Sequence, residues 1–158
     1  MRTLIIYDSL HGNTKEIAEA IYNGIAQPDT KILPVEKAIT DDLKDIKLLI
    51  VGSPTHGGTA KPTLLDFLKR IQKDSLVGIK IATFDTRFLE EKQKVALRLL
   101  MKTIGYAAPK IAKILESKGG ELIVKPEGFF VKKAEGPLLN GEIQRAKEWG
   151  KGVYNNIS

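Results

Sequence analysis

Apolar and polar positions alternate along this chain in two rhythms. Thr3-Leu4-Ile5-Ile6-Tyr7 is a short, nearly unbroken apolar run, as a strand buried on both faces requires. It ends in the polar turn Asp8-Ser9-Leu10-His11-Gly12. Ile17, Ala18, Ile21 and Ile25 then recur at helical spacing. Asn13 as N-cap with Glu16 three positions on has the spacing of a capping box. Residues 1–26 thus predict strand, turn, helix.

The unit repeats. Lys31-Ile32-Leu33-Pro34-Val35 predicts a second strand, whose proline suits a sheet edge because no N–H is needed there. Lys47 to Gly52 is the third strand and the most apolar. A loop over 53–59 leads to a helix opened near Pro62, with Leu64, Leu65, Leu68 and Ile71 on its inner face. Gly78 to Phe84 is the fourth strand, ending at Asp85-Thr86-Arg87. The tract from about Glu90 to Lys118 is helical and broken at Gly105–Pro109, since proline disrupts a helix interior. Gly119-Gly120 caps it. A fifth strand follows in two pieces, Glu121–Val124 and Phe129–Val131, bent at Pro126–Gly128. Asn140 caps a last helix with Ile143, Ala146, Trp149, Val153 and Ile157 along one side. Five strands alternating with helices predict an α/β fold, a doubly wound parallel sheet with helices on both faces. Residues 1–158 read as a single domain, with no internal repeat, linker or low-complexity tract.

Composition narrows the chemistry. The chain is 42% hydrophobic and 28% charged, which is ordinary for a globular protein. With no cysteine, disulfides, thiolate metal sites and a cysteine nucleophile are excluded. The two histidines, His11 and His56, cannot form a multi-histidine metal site. No apolar run approaches the roughly 20 residues of a membrane helix, and the N-terminal run is too short for a signal peptide. A soluble, cytoplasmic protein is expected.

In an open parallel sheet, ligands bind outside the carboxyl ends of the strands. The loops 8–14, 53–61 and 84–88 leave such ends and concentrate Gly, Ser, Thr, Asn and His. Ser9-Leu10-His11-Gly12-Asn13-Thr14 runs into a helix start, where N–H groups and the helix dipole favour an anion. It is neither GxxxxGK[ST] nor GxGxxG, so a nucleotide P-loop and a dinucleotide fingerprint are absent. A phosphate monoester held by neutral donors, or a plain strand-to-helix turn, remains. A phosphoacceptor receiver domain is disfavoured: the third strand ends in Gly52-Ser53 with no carboxylate.

These three loops together resemble the flavodoxin family. Ser9 to Thr14 is similar to its Ser-x-x-Gly-Asn-Thr phosphate loop. Val51 to Gly58, with Pro54, Thr55, His56, Gly57 and Gly58, looks like the loop along the flavin. Phe84-Asp85-Thr86-Arg87 falls where the other flanking loop starts. The resemblance covers essentially the whole chain and implies the strand order 2-1-3-4-5. It also implies FMN, with its phosphate in the first loop and its ring between the other two. Gly57 and Gly58 either let backbone approach the ring or only make the loop turn. Asp85 is read as a turn and capping residue. Arg87 either flanks the ring, or points to solvent or pairs with Asp85. Tyr7 is read as core, and Trp149 as core or interface. The chain lacks the tryptophan and tyrosine that sandwich many flavodoxin rings, with His56 and Phe88 nearby instead.

Charge bears on partners. The net charge is +6, but residues 1–60 hold six Lys/Arg against eight Asp/Glu, leaving the excess to 61–158. Flavodoxins are usually acidic, so an acidic redox partner fits this chain better, unless the lysines are only a solvated surface. No nucleic acid or membrane partner is expected. Two activities stay open: an electron carrier between proteins, and an FMN-dependent NAD(P)H:quinone-type reductase. A flavin-free interaction module on the same fold is a third.

Overall fold

The computed structural model describes residues 2–89 and 93–157. Its strands are β1 (Thr3–Tyr7), β2 (Thr30–Pro34), β3 (Leu48–Pro54), β4 (Lys80–Phe88), β5 (Glu121–Leu122) and β6 (Glu127–Val131). Its helices are α1 (Asn13–Ile25), α2 (Pro62–Arg70), α3 (Val95–Ile104), α4 (Ala107–Ser117) and α5 (Glu142–Asn155). All strand pairs are parallel, in the order β2-β1-β3-β4-β5, with β6 also on β4. The expected bend in the fifth strand is therefore a gap. β5 pairs with Lys80 and Ile81, while β6 rejoins β4 at Phe84 to Phe88.

Successive side chains of a strand point to opposite faces, and the two faces of this sheet carry separate cores. Leu4, Ile6, Leu49, Val51 and Ile81 pack against Leu64, Phe67 and Leu68 of α2 and Ile111 and Leu115 of α4. Ile5, Tyr7, Ile50, Ala82, Phe84 and Phe129 pack against Ile17 and Ile21 of α1 and Ala146 and Val153 of α5. Trp149 belongs to this second core, edge-on to Phe84 and Phe129. α1 and α5 meet backbone to backbone. A Cβ on Gly24 would lie 2.0 Å from the Lys147 carbonyl oxygen, and one on Gly150 would lie 2.6 Å from that of Ile21. No helix among the described residues is long and apolar enough to cross a membrane.

The structure corrects several boundaries. α1 is preceded by Gly12 at φ 94°, which takes the cap position, so Asn13 is the first helical residue and not the cap. α5 likewise follows Gly141 at φ 88° rather than Asn140. Both turns need the left-handed backbone that glycine adopts without a steric cost. β3 and β4 run further than their apolar runs. Ser53 pairs with Asp85 and Pro54 with Thr86, so Asp85-Thr86-Arg87 is strand, not loop. The expected helix start near Glu90 lies outside the described residues; α3 begins at Val95.

Candidate functional site

β1, β3 and β4 end side by side, and the segments that leave them surround a cavity of about 380 Å³. That volume is in the range of sites for small cofactors. Leu10, His11, Asn13 and Thr14 form one end. There the first-turn N–H groups of α1 have no carbonyl to bond within the helix, as at any helix start. The Ser9 hydroxyl accepts from the Gly12 and Lys15 N–H groups at 3.2 and 3.3 Å, fixing the turn. Thr14 Oγ1 lies 2.8 Å from Thr86 Oγ1 in a buried pair that ties α1 to β4. Asn13 is buried against the 132–138 loop, where a Cβ on Gly136 would lie 2.4 Å from its Oδ1.

The second segment is a tight reverse turn. The His56 N–H donates to the Thr59 carbonyl at 2.8 Å, and the Thr59 N–H returns to His56 at 3.2 Å. Gly57 and Gly58 between them have φ of 58° and 77°, as a turn with two left-handed central residues demands. Gly58 serves a second purpose, since a Cβ there would lie 1.7 Å from Ile104 Cγ2. Lys110 Nζ donates to the carbonyls of both Gly58 and Ile104, at 2.6 and 2.8 Å. One ammonium therefore joins this turn to the end of α3.

Asp85 and Arg87 share a face of β4, two residues apart. Arg87 Nε and Nη2 donate to the two Asp85 oxygens at 2.6 and 2.7 Å. The Ala108 N–H at the start of α4 donates to Asp85 at 2.8 Å. Burial pushes the Asp85 carboxyl above its ordinary range, and Arg87, Ala108 and Thr55 pull it back down. The forked contact with three converging donors is the geometry of a carboxylate. Arg87 also lies over the Tyr106 ring, 3.7 Å from its centre. It is paired and stacked, not free to place an uncompensated cation at the cavity.

Eleven of the residues expected at the site line this cavity: Leu10, His11, Asn13, Thr14, Pro54, Thr55, His56, Gly57, Gly58, Thr86 and Arg87. Ser9 and Gly12 instead shape the turn behind it. Phe84 and Asp85 do not line it. Phe84 is fully buried beneath Gly52, where a Cβ would meet its ring at 2.1 Å, and Asp85 is fully buried in its pairing with Arg87. Sequence reasoning missed the opposite wall, which α3 and its flanks supply through Leu97, Leu100, Met101, Ile104, Gly105 and Tyr106. Phe88, Val131 and Ala134 complete the lining. The signal was there: positions 97, 100, 101 and 104 fall on one helical face, in a tract too long for one crossover helix.

A polar end beside a helix start and apolar walls beyond it suit an aromatic group carrying an anionic tail. The chain belongs to the flavodoxin domain family, whose model matches residues 4–132. No curated protein matches it in sequence. Among solved structures it is similar over its whole length to oxidised Flavodoxin 1 from Bacillus cereus, with 18% identity, all of both chains covered and a TM-score of 0.74. A flavodoxin from the domain Archaea aligns at 20% identity over 99% of each chain, with a TM-score of 0.68. The flavodiiron protein from Giardia intestinalis aligns at 16% identity over 98% of this chain and 36% of its own, with a TM-score of 0.72. At these identities the structures establish the fold. The cofactor of the family is FMN.

Proposed function

We propose that this chain is a cytoplasmic, single-domain FMN protein that carries electrons between protein partners. The carrying observation is the two-ended cavity, with hydroxyls and a helix start at one end and α3 forming an apolar wall at the other. The turn 9–14 and the first N–H groups of α1 would hold the phosphate, with Asn13 and Thr14 as side-chain donors. Pro54 to Gly58 on one side, with Phe88 and Tyr106 on the other, would hold the ring. Bound FMN supplies the electron-transfer chemistry; the protein's own part is to bind, orient and shield it. Leu97, Leu100, Met101 and Ile104 would keep water from one side. The lysine-rich half, 61–158, suits an acidic partner.

A titration with FMN and with riboflavin, which lacks the phosphate, tests the reading. A hydrogen bond to a charged acceptor is worth about 1.5–3 kcal/mol. FMN should therefore bind far more tightly than riboflavin, and Asn13→Ala should weaken FMN by about tenfold or more and riboflavin much less. Equal affinity for the two ligands refutes a phosphate site at this loop. Rapid turnover of NAD(P)H with a quinone would move the assignment from carrier to reductase.

A further inference from the structure

After Glu91 the chain carries no carboxylate until Glu116, yet it carries six cations: Lys92, Lys94, Arg98, Lys102, Lys110 and Lys113. α3 is drawn from this stretch, and none of its residues is buried. Its inner apolar positions, among them Leu100 and Ile104, face the cavity and are accounted for by it. Val95 and Leu99 are not. They stand one helical turn apart on the opposite side, 70% and 61% exposed, and touch neither core. Single exposed apolar residues need no explanation. Here two neighbours share the outer face of the helix that walls the cavity, and exposed Lys94 and Lys102 lie on the same helix or at its start. Across the cavity, exposed Lys132 and Lys133 precede the lining residue Ala134.

We propose that the outer face of α3 is the docking surface for an acidic redox protein, with Val95 and Leu99 at its apolar centre and the surrounding lysines as its rim. This rests on the carrier reading above and names the partner's chemistry and its seat. A small apolar centre with a charged rim is the make-up of a weak, electrostatically guided encounter. A bilayer is the poorer occupant. Interfacial helices bury a continuous apolar face in lipid, and the larger apolar face of α3 is turned to the cavity. Docking here would set the partner across the width of α3, about 10 Å, from the cavity.

The test uses the FMN-loaded protein, 15N-labelled, with an acidic [2Fe–2S] ferredoxin as probe at low ionic strength. FMN content is read first from visible absorbance, so failure of the cofactor reading appears there and not in the docking result. The ferredoxin should shift the amide signals of α3, and raising salt should abolish the shifts. Val95→Glu with Leu99→Glu should weaken binding about tenfold or more, and Lys102→Glu severalfold. Val77→Glu, a change at a position 69% exposed on another surface, should leave binding unchanged. The proposal is overturned if the shifts map away from α3, if Val77→Glu costs as much, or if α3 responds to phosphatidylglycerol vesicles and not to ferredoxin.

Discussion

Removing the Asp85 carboxylate should be among the most damaging single changes in this chain. Asp85 is fully buried, and the Arg87 side chain it holds is only 16% exposed. With charge centres about 4 Å apart, their attraction is about 4 kcal/mol at an effective dielectric near 20. Desolvation of both ions offsets much of that, so the pair contributes little net stability. Deleting one partner is different. Asp85→Ala strands the Arg87 guanidinium and leaves the Ala108 N–H without its acceptor. A loss of about 3–5 kcal/mol follows, a large share of the about 5–15 kcal/mol that holds a typical domain together. Arg87→Met alone should cost a similar amount. The double variant, Asp85→Ala with Arg87→Met, should recover part of the loss, because no buried charge is left unpaired. Urea unfolding of the four proteins gives the cycle. If Asp85→Ala costs under about 1 kcal/mol, or if the two single losses simply add, the pair is not the coupled buried contact described here.

Two other outcomes follow from local geometry. Gly58→Ala should lower the urea midpoint more than Gly57→Ala. Both have left-handed backbone, but a Cβ at 57 meets nothing within 4 Å, while one at 58 collides with Ile104. The excess should be about 1–3 kcal/mol, the usual overpacking cost, and equal losses would show that α3 moves aside freely. Asp42 accepts from Lys31 Nζ at 2.7 Å and the Ile39 N–H at 3.0 Å, which hold its carboxyl below the ordinary range. Its folded pKa lies below the unfolded one, so it contributes stability above the unfolded value, near pH 4. That contribution is lost as pH falls through the folded value. Asp42→Asn should therefore be less stable than the parent at pH 7, by no more than about 1 kcal/mol because Lys31 is exposed, and the gap should close on acidification. A gap that widens in acid refutes the assignment.

The strand and helix alternation was legible because each apolar run is bounded by glycine or by a polar turn. β1 and α1 lie where the pattern put them, and Pro126 and Gly128 marked the break in the fifth strand, though as a bend and not as the gap observed. The helix starts were misread because asparagine and glycine compete for the same position. Gly12-Asn13 and Asn140-Gly141 each offer both, and only backbone geometry decides. Asp85 was read as the end of a strand because a carboxylate ordinarily marks one. Its burial depends on Arg87 two positions on and on α4, which arrives from more than twenty residues away. Pairing of Arg87 with Asp85 was one of the readings open in the sequence, and it is observed, with Arg87 also lining the cavity. The wall formed by α3 was hidden for another reason. An apolar stripe facing a cavity and one facing a core have the same spacing, so periodicity marks the helix but not what it faces.

The contact between α1 and α5 ties the far end of α1 to the cavity. Gly24 lies eleven positions beyond Asn13, about 16 Å along the axis at 1.5 Å per residue. Its backbone rests directly on that of Lys147. A helix transmits a tilt at one end to the other almost undamped, so a side chain inserted at Gly24 acts as a fulcrum. It would swing the turn at Ser9–Thr14 relative to Thr86, which is anchored in the sheet. Distance from the cavity is thus a poor guide to which residues govern its shape. Along this helix the bearing at the remote end governs the turn at Ser9–Thr14 as much as the hydroxyls within it do.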